Sequence, residues 1–178
     1  MRTLFLDACA MEKYFLPENG SELMHWLCSK KAILCGVRCI SSPKVRLDFF
    51  HAIEEKCRSG QISQDQADRI KTKASDLFEK LIQGNGEVPL HAPAGENVTA
   101  DEMAERHKLT IGKHNWDMDR IETIVSNLSF LTKVPKLQVV TPDEGFGEIL
   151  ALEGYGVINP EAMKLGELLE EWAAESSH

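Results

Sequence analysis

Short apolar segments of strand length alternate along this chain with longer segments of helical character, and this alternation constrains the fold more than any other feature. Strands are predicted at residues 3–6, 32–40, 137–140 and 156–158, with a short fifth one at 87–90. The intervening predicted helices cover 8–15, a segment from 21, 43–58, 63–82, 99–107, 116–131, 143–153 and about 160–174. Because strand–helix–strand units build parallel sheets covered by helices, we expect a three-layer α/β/α fold with a central, mainly parallel sheet of four to five strands.

The length and the spacing of these segments predict one domain spanning residues 1–178. A Gly/Pro-rich loop is expected at about 83–97 and a C-terminal helix at about 160–174. No apolar run approaches the roughly 20 residues of a membrane span, and the N-terminus lacks the apolar stretch of a secretory signal. Five cysteines, an odd number without a C-x-x-C pair, are typical of free thiols in a reducing compartment. A cytoplasmic location is therefore predicted.

The net charge of −8 bears on the partners of the protein. Proteins that hold nucleic acid usually present a basic face, because phosphate contacts dominate their affinity. The acidic balance argues against a long RNA-binding groove. It is compatible with a compact site that meets phosphate through bound metal ions, since the ions then supply the local positive charge.

Two aspartates lie shortly after predicted strands. Asp7 comes after residues 3–6, and Asp143 comes shortly after residues 137–140. In open parallel sheets, ligand sites lie at the carboxyl ends of the strands, so both acids are candidates for one site. The alternative for each acid is an N-cap, in which the carboxylate accepts hydrogen bonds from the backbone of the following helix.

Three further acids lie on predicted helices. Asp48 shares a helix face with Val45 and Ala52. Its carboxylate could form an ion pair with a nearby Lys or Arg, or it could be a metal ligand aimed over the edge of the sheet. In the helix of residues 116–131, the apolar stripe extended backwards reaches Asp117, while Asp119 lies at its edge. Both acids also suit the positive end of a helix dipole.

Converging carboxylates would make a site for Mg²⁺ or Mn²⁺, which are hard ions that prefer oxygen ligands. Such an ion lowers the pKa of bound water and neutralises charge on a phosphodiester. Thr141, two residues before Asp143, is expected to orient a ligand or a water beside the ion.

These motifs, taken in order, resemble the PIN-domain superfamily, especially its VapC-type toxin ribonucleases. Residues 5–22, which read FLDACAMEKYFLPENGSE, resemble the start of such proteins: a strand, an aspartate, an apolar helix and then Pro-Glu-x-Gly-Ser-Glu. Residues 45–53 resemble the second motif, 119–122 the third, 139–146 the fourth, and 154–160 the closing strand. A phosphotransferase of the haloacid-dehalogenase type is disfavoured, because Cys9 stands where that family has a second aspartate.

The resemblance implies a PIN-like, Rossmann-type topology and a ribonuclease that depends on Mg²⁺ or Mn²⁺. The implied catalytic acids and metal ligands are Asp7, Asp48, Asp119 and Asp143. The motif register thus selects Asp119 as the third acid, and the apolar stripe keeps Asp117 as a candidate outer ligand. It also implies an RNA substrate, a homodimer and the role of a toxin with a cognate antitoxin protein. The chain departs from the family at Ala8 and Cys9, where hydroxylic residues are common, and Asp48 stands in place of a Glu. These departures favour a second prediction, a catalytically weak or silent PIN scaffold that binds a protein partner or RNA.

Overall fold

A computed structural model describes residues 2–83, 99–131 and 137–175, apart from the side chains of Gln83, Ala100 and Asp119. The strand predicted at 87–90 and nearly all of the Gly/Pro-rich loop predicted at about 83–97 lie outside the described residues.

The sheet has four strands that all run parallel. They are β1 (Arg2–Leu6), β2 (Val37–Ile40), β3 (Leu137–Val140) and β4 (Gly156–Ile158), in the spatial order β2-β1-β3-β4. The register pairs Phe5 of β1 with Ile40 of β2, and Leu6 of β1 with Val140 of β3. The predicted α/β class with a parallel central sheet is therefore confirmed. The first strand of the chain lies in the middle of the sheet, beside β3.

Helices flank this sheet. They are α1 (Ala8–Phe15), α2 (Ser21–Leu27), α3 (Lys30–Leu34), α4 (Pro43–Arg58), α5 (Gln64–Gln83), α6 (Ala100–Arg106), α7 (Lys108–His114), α8 (Met118–Leu131), α9 (Glu144–Leu152) and α10 (Leu165–Glu175). Within the described part of the chain, none of these helices is both long enough and apolar enough to cross a bilayer.

Side-chain caps fix several helix starts where the sequence predicts them. The Ser42 hydroxyl accepts from the Val45 amide at 3.1 Å, with proline at the first helical position of α4. Thr99 and Glu102 form a complete capping box at the start of α6. These hydroxyl and carboxylate groups satisfy backbone amides that a helix end leaves without partners.

The structure differs from the sequence prediction at two element boundaries and in one additional helix. The strand predicted at 32–40 is wrong in its first half, where α3 forms because the Ser29 hydroxyl accepts from the Ala32 amide and Gly36 turns the chain with a φ of +78°. Helix α7 was not predicted at all. The C-terminal helix predicted from about residue 160 begins at Leu165 instead. Pro160 lies in a turn, and its carbonyl faces Gly20, which has a φ of +90°.

The core surrounds the central strand. Leu4, Phe5 and Leu6 of β1 are fully buried, and Phe49 of α4 packs against Phe78 of α5 with ring centroids 5.5 Å apart. Since β1 is buried on both faces, as is usual in parallel sheets, the residue that follows it also starts inside the protein. This residue is Asp7.

Candidate functional site

Asp7 is a buried carboxylate at the carboxyl end of β1, with only 4% of its surface exposed. Its Oδ1 accepts from the Ala8 amide at 2.7 Å, which makes Asp7 the N-cap of α1. Its Oδ2 accepts from the Thr141 hydroxyl at 2.8 Å. Burial raises the pKa of Asp7 above the ordinary value, although the Thr141 hydrogen bond, the charge of Arg120 and the Ala8 amide oppose this rise.

Asp143 lies three residues beyond the end of β3, at the start of α9. Its Oδ1 accepts from the Phe146 amide at 2.8 Å, so Asp143 caps α9 as Asp7 caps α1. The capping alternative therefore holds for both aspartates. Capping and proximity are compatible here, because two helices that start at the carboxyl ends of neighbouring parallel strands start side by side.

Thr141 connects the two aspartates. Its hydroxyl donates to Asp7 Oδ2 and accepts from the backbone amide of Asp143 at 3.1 Å. The residue is 1% exposed, so water does not compete for these bonds. The negative charge of Asp143 also acts to raise the pKa of Asp7. We call these two aspartates, joined through Thr141, the acid pair.

Arg120 supplies the positive charge beside the acid pair. Its guanidinium forms an ion pair with Asp143 Oδ2 and lies over the ring of Trp116, with 5.8 Å between the guanidinium carbon and the ring centroid. The charge of Arg120 also lowers the pKa of Asp7. No role for Arg120 was predicted from the sequence. Its position in the third PIN-like motif was the only signal, and nothing local to α8 indicates a partner 23 residues later.

The remaining candidate acids do not join the acid pair through described contacts. Asp48 is half-buried and ion-paired with Lys44 at 2.6 Å, as the ion-pair alternative predicted. Asp117 was expected to face inwards, and this expectation is wrong: the residue is exposed, and its Oδ1 accepts from the Arg120 amide at 2.9 Å. Asp117 caps the first turn of α8, and capping requires the carboxylate to turn back over the helix end. The side chain of Asp119 lies outside the described atoms.

A pocket of about 300 Å³ opens beside the acid pair. It is lined by four acids, two lysines, a cysteine and a proline, namely Cys9, Glu12, Lys13, Glu18, Lys56, Pro142, Asp143 and Glu161. Because the acids outnumber the lysines, the pocket suits a cation better than a free anion.

Glu12 and Lys56 form an ion pair in this pocket. This pair was not predicted from the sequence. Their Oε2 and Nζ atoms are 3.2 Å apart. Burial raises the pKa of Glu12, and the Lys56 charge opposes the rise. Glu12 lies three residues after Cys9 on α1, which places both on one helix face. Burial, followed by the charges of Asp7 and Glu12, raises the pKa of the Cys9 thiol, so this cysteine stays protonated at neutral pH.

Neither the protein-family models nor the curated proteins compared with this chain match it. The resemblance to PIN-domain proteins therefore stays a prediction from the sequence motifs.

Proposed function

We propose that the protein is a metal-dependent endoribonuclease of the PIN type, with the acid pair Asp7 and Asp143 at its centre. The observation that carries the proposal is that the buried Thr141 hydroxyl donates to the Asp7 carboxylate and accepts from the backbone amide of Asp143. The Asp143 charge also acts on the Asp7 carboxylate. Burial of neighbouring like charges is costly unless a cation compensates them. A pair of this kind at the carboxyl edge of a parallel sheet suits a divalent cation.

The chemistry of the donors fits Mg²⁺ or Mn²⁺. Both ions prefer oxygen ligands, and Mg²⁺ commonly binds through one or two carboxylates while retaining several waters. Among the side chains that the structure describes, no group of three or more His, Cys, Asp or Glu residues could hold a metal ion. We therefore assign the protein ligands to Asp7 and Asp143 and, from its motif position alone, to Asp119. When bound, the ion supplies Lewis-acid activation of water and phosphate.

The residues around the ion have separate tasks in this proposal. Thr141 keeps Asp7 in place by donating to its Oδ2, which leaves the other lone pairs of the carboxylate for the ion. The Phe146 amide fixes Asp143 in the same way. Lys13 and Lys56 line the pocket beside the acid pair, where Lys13 is ion-paired with Glu18 and Glu161, and Lys56 with Glu12. Either lysine would meet an RNA phosphate only by leaving these partners.

A second candidate function is a catalytically weak or silent PIN scaffold that binds a protein partner or RNA. It is favoured by the ion pairs Arg120–Asp143 and Lys44–Asp48, since each gives a predicted metal ligand a cation from within the chain. Asp48 serves as a ligand only if it leaves Lys44. With either function we propose a cytoplasmic homodimer. For the nuclease, we further propose the role of a toxin that a cognate antitoxin protein inhibits.

Thermal unfolding with Mn²⁺ tests the metal site. Mn²⁺ at about 100 times its Kd should stabilise the protein by about 2.7 kcal/mol, which is roughly 5–10 °C in Tm for a chain of this size. Asp7→Asn should abolish this shift because it removes a ligand charge. Asp101→Asn, an exposed residue in the first turn of α6, is the matched control and should keep the shift.

Cleavage of labelled RNA distinguishes the two functions. The nuclease should cut single-stranded or structured RNA with Mn²⁺, lose this activity in Asp7→Asn and keep it in Asp101→Asn. Intact RNA with saturating Mn²⁺ would overturn the catalytic function and favour the scaffold. Size-exclusion chromatography with light scattering then measures the molar mass of the protein, and this mass shows whether it is a dimer.

A further inference from the structure

Arg120 supplies a positive charge beside the acid pair. It is in the first turn of α8, its side chain is 29% exposed, and its guanidinium is ion-paired with Asp143. Its charge also lowers the pKa of Asp7 and of Cys9, so the same guanidinium acts on all three side chains. A guanidinium in this position is an internal substitute for a metal ion.

The hydrogen bonds of the acid pair show which partner can leave. Asp7 accepts from the Ala8 amide and from Thr141, and Asp143 accepts from the Phe146 amide and from Arg120. The two amides belong to helix starts, and the threonine hydroxyl is buried, so releasing any of these three disturbs the backbone or leaves a buried polar group without a partner. Arg120 is the partly exposed member on a long side chain, and it can withdraw by rotation alone.

A guanidinium and a divalent cation cannot both bind Asp143 next to each other, because two positive charges in contact repel strongly. The ring of Trp116, over which the guanidinium already lies, provides a place for Arg120 at the rim of the site once it leaves Asp143. Trp116 is itself held by stacking on His114, with ring centroids 5.5 Å apart.

We propose that Arg120 is an exchangeable internal counter-ion of the acid pair: it pairs with Asp143 and acts electrostatically on Asp7 when no metal is bound, and it gives up Asp143 when a divalent cation binds. This inference rests on the proposed function, since it assumes that the acid pair is a metal site. Its consequence is that Arg120 weakens metal binding, and the cation concentration sets which of the two forms is present.

Removal of the guanidinium tests the exchange directly. Arg120→Met and Arg120→Gln both abolish the charge and keep much of the side-chain length. We expect Mn²⁺ to bind each variant roughly tenfold more tightly than it binds the wild type, as measured by titration calorimetry at constant ionic strength. The matched control is Arg58→Met, which also removes one positive charge, from an exposed pair with Glu55. Its Mn²⁺ affinity should stay within about twofold of wild type, because surface charges are screened.

The outcomes separate the exchange from the proposed function. Tighter binding in both Arg120 variants but not in Arg58→Met supports the exchange. Equal Mn²⁺ affinity in all four proteins, abolished by Asp7→Asn, overturns the exchange and leaves the metal site intact. Absence of Mn²⁺ binding in every protein overturns both proposals. Unfolding curves in chelator establish that each variant is folded.

A measurement on the wild-type protein covers the case in which the variants do not fold. In ¹⁵N-labelled protein, the Nε–H resonance of an arginine paired with a carboxylate should move when diamagnetic Mg²⁺ displaces it. We expect one arginine resonance to move with the same saturation curve as the backbone amides of Ala8 and Phe146. Amide shifts without any shift of an arginine resonance would overturn the exchange.

Discussion

Replacing Thr141 by valine tests how the acid pair is held together. The two side chains have nearly the same shape, so the change removes a hydroxyl and leaves almost no cavity. The lost donor bond to Asp7 is 2.8 Å long, and the lost acceptor bond from the Asp143 amide is 3.1 Å long. A hydrogen bond to a charged group contributes roughly 1.5–3 kcal/mol and a neutral one about 1 kcal/mol. We therefore expect the free energy of unfolding at neutral pH to fall by about 2.5–4 kcal/mol.

The loss should also depend on pH. Burial raises the pKa of Asp7 in the folded protein, and the Thr141 bond is what opposes this most. Without the hydroxyl the folded pKa rises further, while the unfolded pKa stays the same. A folded state with the higher carboxyl pKa binds more protons, so its stability falls as the pH rises between the unfolded and folded values. The difference between wild type and Thr141→Val should therefore grow as the pH rises through the two folded-state pKa values of Asp7 and shrink as the pH falls below both of them.

Urea unfolding in the presence of chelator measures both quantities. The control is Ser42→Ala, which removes another buried hydroxyl, one that accepts only from the neutral Val45 amide in the described bonds. It should cost about 1 kcal/mol at every pH, as an N-cap does. A Thr141→Val loss below about 0.5 kcal/mol, or one that does not vary with pH, would refute the bridging role of Thr141.

Three further predictions concern stability. Burial would raise the pKa of Glu153, but hydrogen bonds from an arginine and a histidine lower it overall. Glu153→Gln should therefore lower the free energy of unfolding by about 1 kcal/mol at neutral pH, and this loss should vanish as the pH falls through the lowered pKa. Gly20→Ala should cost about 2–3 kcal/mol in urea unfolding, since its Cβ would lie 2.8 Å from a proline carbonyl and its φ is +90°, whereas Gly154→Ala, with a φ of +83° and open space, should cost about 1 kcal/mol. Lys44→Met should cost no more than about 0.5 kcal/mol, as is usual for an i,i+4 pair, and a larger loss would mean that Asp48 depends on this lysine.

The sequence was most informative where the determinants of structure are local. The capping residues Ser42 and Thr99 predict the starts of α4 and α6 correctly, because a cap needs only the next three residues. The rule for parallel sheets likewise places Asp7 and Asp143 at one edge before any coordinates are known. The strand assignment failed in the first half of residues 32–40, where an apolar run is compatible with either helix or strand and the start of α3 depends on Ser29.

The parts of the site that were not predicted depend on contacts distant in sequence. The pairing of Arg120 with Asp143 requires α8 to pass the start of α9, and no periodicity within α8 encodes that. Asp117 was assigned to the inward face by extending the apolar stripe, but a stripe holds only where the helix is regular, and Asp117 precedes its first turn. Which charges meet is a property of the tertiary fold.

The central position of β1 also governs the order in which the protein can assemble. Strand β1 precedes β3 in the sequence and pairs with it, and Asp7 accepts a hydrogen bond from the hydroxyl of a residue 134 positions later. During translation, β1 therefore has only β2 as a partner until residues 137–158 have left the ribosome. Contacts of such sequence separation form late and slow folding. Asp7 and Asp143 are thus apart in the nascent chain, and the proposed cation site can first form when synthesis has passed β3.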